Sequence, residues 1–220
     1  AEFQLTVYAK NYRTPDWFKG GILYQIFPDR FCKKGTMPNI EGRIPRSDWG
    51  GIPNFRPDEK GKISNNDFFG GNFKGIQSKL PYLKSLHITA IYLNPIFEAA
   101  SNHRYDTSDY MKVDPFLGTN EDFAELTKEA EKYGIRIILD GVFNHTGDNS
   151  VYFNKYGKYP SLGAYQSKES PYFSWYTFQD FPDKYSSWWG IDILPEVNEN
   201  SAAYQEFIFG ESGVLKNWLS

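Results

Sequence analysis

At 220 residues the chain is long enough for one large domain or two small ones and for a sizeable core. Its 24 Lys and Arg against 27 Asp and Glu leave a formal net charge of -3, which gives no support for binding nucleic acid or an anionic membrane. The single cysteine, Cys32, excludes an intrachain disulfide and leaves the compartment open, and no apolar run reaches the roughly 18 residues of a membrane span.

Residues 1–7 alternate like a strand and lack the basic and apolar regions of a signal peptide. Pro15 and its turn-forming neighbours then make Asn11 to Trp17 a linker, so 1–13 is expected to be the tail of a preceding domain. Ile22 to Phe27 is a buried strand ended by Pro28 and Asp29. Cys32 to Asp67 is long and irregular, with Pro38, Pro45, Pro53 and Pro57, and such loops are functional or mobile. The glycines of the turn Phe68 to Asn72 match no phosphate-binding loop.

Ile76, Leu80, Leu83 and Leu86 recur at helical spacing over Phe73 to Leu86, and Pro81 should bend or restart that helix. Ile88 to Leu93 is a second strand, ended by Asn94 and Pro95; the loop after it holds Asn102 to Tyr110. Thr119 and Asp122 form a capping box for a helix that buries Phe123, Leu126, Ala130 and Tyr133 and stops at Gly134. The apolar run Ile135 to Leu139 opens a third strand of the kind covered on both faces. Strands alternating with helices in this way make a parallel sheet, doubly wound or closed into a barrel.

Ligands sit at the C-terminal ends of such strands, and there Asp140, Asn144 and His145 leave one tip together. By themselves these residues read equally as a strand cap, a turn and a polar loop residue. Residues 146–196 are rich in Tyr, Phe, Trp, Ser and Gly without helical period, as in an inserted subdomain. Residues 197–220 turn helical again through Tyr204, Phe207, Ile208, Leu215 and Trp218, with Gly210 and Gly213 weakening or splitting the helix. Aromatic residues make up 18% of the chain, which fits either dense ring packing or a cleft whose flat faces suit sugars.

Five motifs fall in one order: Gly21 to Phe31 (GILYQIFPDRF), Phe68 to Ile76 (FFGGNFKGI), Tyr92 to Phe97 with His103 to Thr107 (YLNPIF, HRYDT), Asp140 to His145 (DGVFNH) and Leu194 to Asn198 (LPEVN). Together they resemble the α-amylase family of glycoside hydrolases, nearest its neopullulanase and cyclomaltodextrinase group, from about Thr14 onward. The resemblance implies an α/β fold, the N-terminal portion of a (β/α)8 TIM barrel (strands 1–3, residues 14–145), with a subdomain inserted after strand 3 (146–196) and a helix returning to the barrel (197–220).

It also implies retaining cleavage of α-glucosidic bonds by two carboxyl groups roughly 5 Å apart, the acid held protonated by a raised pKa. The family's nucleophile lies in an Arg-x-Asp motif, and none occurs after Leu194. No catalytic residue is therefore assigned, and these 220 residues are expected to be inactive alone.

By the same resemblance Tyr105 stacks under the glucose beside the scissile bond, His103 and His145 hydrogen-bond it, and Asp106 and Asp140 orient neighbours. Trp188 and Trp189 either line outer subsites or pack the insertion. No cofactor is required. Calcium stays possible, but the site that some relatives build from loop carboxylates and a Gly-Gly-Asp turn is expected to be lost, because Lys33, Lys34 and Asn72 stand there.

The implied partners are an α-glucan oligosaccharide and the remaining barrel strands, from a second chain or from self-association. Two other readings stay open: a non-catalytic amylase-like protein for binding or assembly, and an unrelated carbohydrate-binding module.

Overall fold

The computed structural model describes residues 5–59, 61 and 63–219. The strand expected over residues 1–7 begins in 1–4, outside the described set, and Leu5 to Tyr8 are exposed without strand pairing.

Apolar runs make the frame. β1 (Leu23–Ile26) leads into a long loop in which β2 (Ile44–Pro45) pairs in parallel with β3 (Asp67–Phe68). α1 (Phe73–Ser78) and α2 (Leu80–Ser85) follow. Asn72 caps α1 by accepting from the Gly75 amide at 2.8 Å. A Cβ at Gly71 would run into the Pro28 carbonyl and one at Gly75 into the Cys32 carbonyl, so the turn can lie against the first loop only with glycine there. The helix restarts at Leu80, which puts Pro81 in a first turn where its missing N–H costs nothing.

β4 (Ala90–Leu93) is followed by an antiparallel hairpin, β5 (Phe97–Ala99) with β6 (Thr107–Val113). α3 (Asn120–Lys132) starts at the expected capping box of Thr119 and Asp122 and ends before Gly134, whose φ is +67°. β7 (Arg136–Leu139) completes a three-stranded parallel sheet in the order β1-β4-β7.

Ile26, Ile91 and Leu93 of this sheet are buried with Ile76, Leu80 and Leu83 of α1 and α2 and with Leu126 of α3. The outer strands are not sealed. Leu23 and Tyr24 are exposed, and Ile137, Ile138 and Leu139 are only half-buried, where the sequence suggested a strand covered on both faces. The reason is topological: β7 is an edge. Beside it runs a 610 Å³ groove lined by Trp17, Phe123, Ile138, Phe143, Leu215 and Trp218, among others.

After β7 the chain carries little regular structure: β8 (Phe178–Asp180) pairs with β9 (Lys184–Tyr185), and much of the rest is turn. It is held by rings. Phe153 is fully buried and packs on Tyr165, Tyr176, Phe178 and Tyr185, so much of the aromatic content goes into packing. The terminal helix is split into α4 (Ala202–Phe209) and α5 (Val214–Leu219) across Gly210 and Gly213. The Trp218 indole donates to the Tyr110 carbonyl at 2.8 Å and ties α5 to β6. Among the described residues no helix is long and apolar enough to cross a membrane.

Candidate functional site

Strand periodicity builds the site. Gln25, Tyr92 and Ile138 stand in one register row across β1, β4 and β7. Asn94 and Asp140, two residues beyond Tyr92 and Ile138, therefore extend the same face past the C-terminal ends of the strands. The Gln25 amide donates to Asn94 Oδ1 at 2.9 Å, and Asn94 Nδ2 donates to the Tyr105 hydroxyl at 3.2 Å. Tyr105 in turn donates to Asp140 Oδ2 at 3.0 Å. One polar chain thus links three strand tips through a single phenol.

Burial, followed by the bond to Asp140 and its charge, pushes the Tyr105 hydroxyl above its ordinary pKa. The same causes raise Tyr92 to about 12. Both phenols are therefore neutral donors at any physiological pH.

The backbone of Tyr105 is held by two histidines. Its amide donates to His103 Nδ1 at 3.1 Å, and its carbonyl accepts from His145 Nε2 at 3.1 Å. That second bond fixes the Nε2–H tautomer of His145 and leaves Nδ1 as an acceptor, sealed from solvent and without a donor among the described residues. The whole residue is 3% exposed, and the Trp188 ring stacks across it with centroids 5.2 Å apart. Burial pushes both imidazoles below their ordinary pKa, against the opposing pull of Asp106.

Asp106 spends its oxygens on its own loop, accepting from the Ala100 and Ser101 amides at 3.2 Å each and from the Ser101 hydroxyl. The structure thus gathers His103, His145 and Asp140 around Tyr105 and sets Asp106 behind them. The Asn144 backbone carbonyl accepts from the Val197 amide at 2.9 Å and ties the strand tip to the end of the insertion.

Sequence reasoning missed Gln25, Tyr92 and Asn94, although a polar residue at the end of an apolar strand was the available signal. It also missed a buried ion cluster behind the loop. Asp114 Oδ1 accepts from Arg43 at 3.0 Å and Arg104 at 3.2 Å, and Arg43 also lies 2.9 Å from Asp114 Oδ2. Arg104 sits between His103 and Tyr105 with φ +62°, so the cluster pins the segment that carries both.

A family model described as alpha amylase, catalytic domain, matches residues 25–209. The chain belongs to the α-amylase family. An amylopullulanase from Thermoanaerobacterium saccharolyticum is 46% identical over 247 aligned positions that cover 100% of this chain and 19% of the relative. Neopullulanase 2 from Thermoactinomyces vulgaris is 33% identical, with 96% of this chain and 34% of the relative covered. Among solved structures, a cyclic α-maltosyl-(1→6)-maltose hydrolase from Arthrobacter globiformis, in complex with that sugar, superposes with a TM-score of 0.75 at 34% identity. The match covers 93% of this chain and 42% of the hydrolase. The chain thus spans about a fifth to two fifths of these relatives, and its fold is the N-terminal portion of the α-amylase-family (β/α)8 barrel.

Proposed function

We propose that these residues form the glucose-holding floor of a retaining glycoside hydrolase acting on α-glucosidic bonds of starch-type glucans. The observation that carries this reading is Tyr105, fixed by Asp140 and Asn94 at its hydroxyl and by His103 and His145 at its backbone. A rigid, half-buried ring with a neutral polar tip suits the C–H face of a glucose unit. His103, also half-buried, offers an imidazole to the sugar's hydroxyls. His145 fixes Tyr105 through its carbonyl, and its Nδ1 is the ring acceptor that remains for a glucose hydroxyl. Asp140 and Asp106 orient their neighbours.

The nucleophile and the acid/base carboxyl are not assigned to any of these residues, so the 220 residues alone are proposed to be inactive. Further barrel strands complete the site, from a longer polypeptide, a second chain or another copy. The relatives' names point to pullulan, maltodextrins and cyclic maltosyl sugars as the substrates to try.

No calcium is assigned to the turn after β3. Both ends of the Asn72 amide are engaged, Oδ1 by the Gly75 amide and Nδ2 by the Lys34 carbonyl at 2.8 Å, so these residues do not fit that ion.

The test compares pullulan and maltohexaose hydrolysis by the full-length protein with that by Tyr105→Phe and Tyr105→Ala. Loss of the hydroxyl is expected to lower kcat/KM about tenfold, and loss of the ring about a hundredfold or more. Parent-like kinetics in Tyr105→Ala would sink the reading. So would release of maltose by the purified 220 residues alone.

A further inference from the structure

Asp67 ends the long loop after β1 and is buried, where a carboxylate is costly unless its oxygens are bonded. Its hydrogen bonds reach in two directions. Toward the loop, Oδ2 accepts from the Arg46 guanidinium at 3.0 Å and from the Asn54 amide at 2.9 Å. Toward the site, Oδ1 accepts from Asn102 Nδ2 at 3.2 Å, and the same Nδ2 donates to the Asp67 carbonyl at 3.0 Å. Asn102 is buried as well, and its backbone N–H donates to the Asn65 carbonyl at 2.7 Å. The next residue in the chain is His103.

The loop end of this linkage is itself fixed. β2 and β3 pair through the Ile44 and Arg46 amides, which donate to the Asn66 and Phe68 carbonyls at 2.8 and 2.7 Å. The Arg46 side chain also binds Asp48 and the Ile52 carbonyl, so one guanidinium gathers residues 46–54 onto Asp67. Three residues earlier, Arg43 donates to the Ala99 carbonyl of β5 and to Asp114. The two arginines that flank β2 thus fasten the loop to the hairpin that carries His103 and Tyr105. Arg104 and Tyr105 are held by Asp114 and Asp140, whereas Asn102, just before His103, is held by Asp67.

An apolar residue at position 67 would pack the loop without burying a charge. A carboxylate with donors on both sides also fixes a distance and a direction, which a side chain that must meet substrate accurately requires. We propose that Asp67 is a positioning residue: through Asn102 it sets where His103 meets the glucose ring, with the long loop as its support. This inference rests on the reading of His103 as a glucose-holding group and adds what keeps that imidazole in place.

The experiment measures maltohexaose hydrolysis by the full-length protein as parent, Asp67→Ala, Asn102→Ala, His103→Gln and the double variant Asp67→Ala/His103→Gln. Thr119→Ala serves as a control that loses stability at a distant helix cap, and thermal melts set a temperature at which every variant is folded. Expected is a roughly tenfold fall in kcat/KM for Asp67→Ala and Asn102→Ala, carried mainly by kcat, with parent-like kinetics for Thr119→Ala. In the double variant, Asp67→Ala should cost less than about twofold beyond His103→Gln, because a residue acting through His103 has nothing left to position. A merely structural role would multiply with His103→Gln instead. Asn102→Ala cuts the same link while leaving Arg46 paired with Asp67, so its own cycle with His103→Gln carries the test if Asp67→Ala does not fold.

Parent-like kinetics in Asp67→Ala and Asn102→Ala, or full multiplication with an impaired His103→Gln, overturns the positioning role and leaves the glucose floor standing. Parent-like kinetics in His103→Gln overturns the positioning role and the glucose contact of His103 together.

Discussion

His103 and His145 are basic groups kept neutral by burial, which gives the site a predictable response to acid. In the unfolded chain each titrates near 6.5; in the folded protein each is held lower. Between those two values the unfolded state binds more protons, so stability rises with pH there and is lost as pH falls. Above about 6.5 both states are neutral at these positions and the contribution is level. Chemical denaturation at pH about 7.5 and about 5.5 should therefore give a lower stability at the acid end, and His145→Gln should flatten part of that slope. An identical slope in parent and variant would show that the His145 ring protonates freely in the fold. The bond to the Tyr105 carbonyl and the charge of Asp106 oppose the burial effect at His145 and limit that shift.

At the scale of elements, the cap of α3 and the ion cluster behind the hairpin differ by what each leaves unsatisfied. Thr119→Ala frees one amide at a solvent-facing helix start and should cost about 1 kcal/mol. Asp114→Ala strands Arg104, which is 1% exposed, and Arg43, whose side chain is 8% exposed, without their shared carboxylate. Removing one partner of a buried ion set costs about 3–5 kcal/mol, so urea denaturation should rank Asp114→Ala well below Thr119→Ala. Equal losses would mean that water already reaches the cluster.

The contrast also explains what was legible. The cap, the restart near Pro81 and the three parallel strands are local patterns, each written in adjacent residues. β6 is not: Thr107, Ser108 and Asp109 are polar yet buried, because Gly147 and Val151 amides donate to the Thr107 and Ser108 carbonyls at 2.8 and 2.9 Å. No alternation announces a strand whose covering comes from forty residues further along. Arg104 and Asp114 escaped for the same reason, their pairing being a matter of hairpin closure. The gathering of His103, Tyr105, Asp140 and His145 was readable only because a family's order of motifs stood in for the tertiary contact; Gln25 and Tyr92, inside their strands, needed the register itself.

For the whole molecule, the decisive feature is the uncovered face of β7. A barrel of this type takes about eight strands, and three leave unpaired N–H and C=O groups along an edge with apolar side chains beside it. The groove that contains Ile138, Phe143, Leu215 and Trp218 is apolar in most of its lining and open to water. Taken by themselves, the 220 residues are therefore expected to self-associate on gel filtration and to bind an apolar dye, and a monomer with a cooperative melt would refute this.

A substitution sharpens the test by predicting opposite signs in two contexts. Ile138 shares the register row of Gln25 and Tyr92, the face that a closed barrel turns inward. In the isolated 220 residues Ile138→Lys places a charge on an open edge, and the monomeric fraction should rise. In a polypeptide that also carries the neighbouring strands the same lysine is enclosed without a partner, and stability should fall by about 3–5 kcal/mol. If Ile138→Lys lowers stability equally in both, the face is already covered within these residues. If it is harmless in both, the further strands do not close over it.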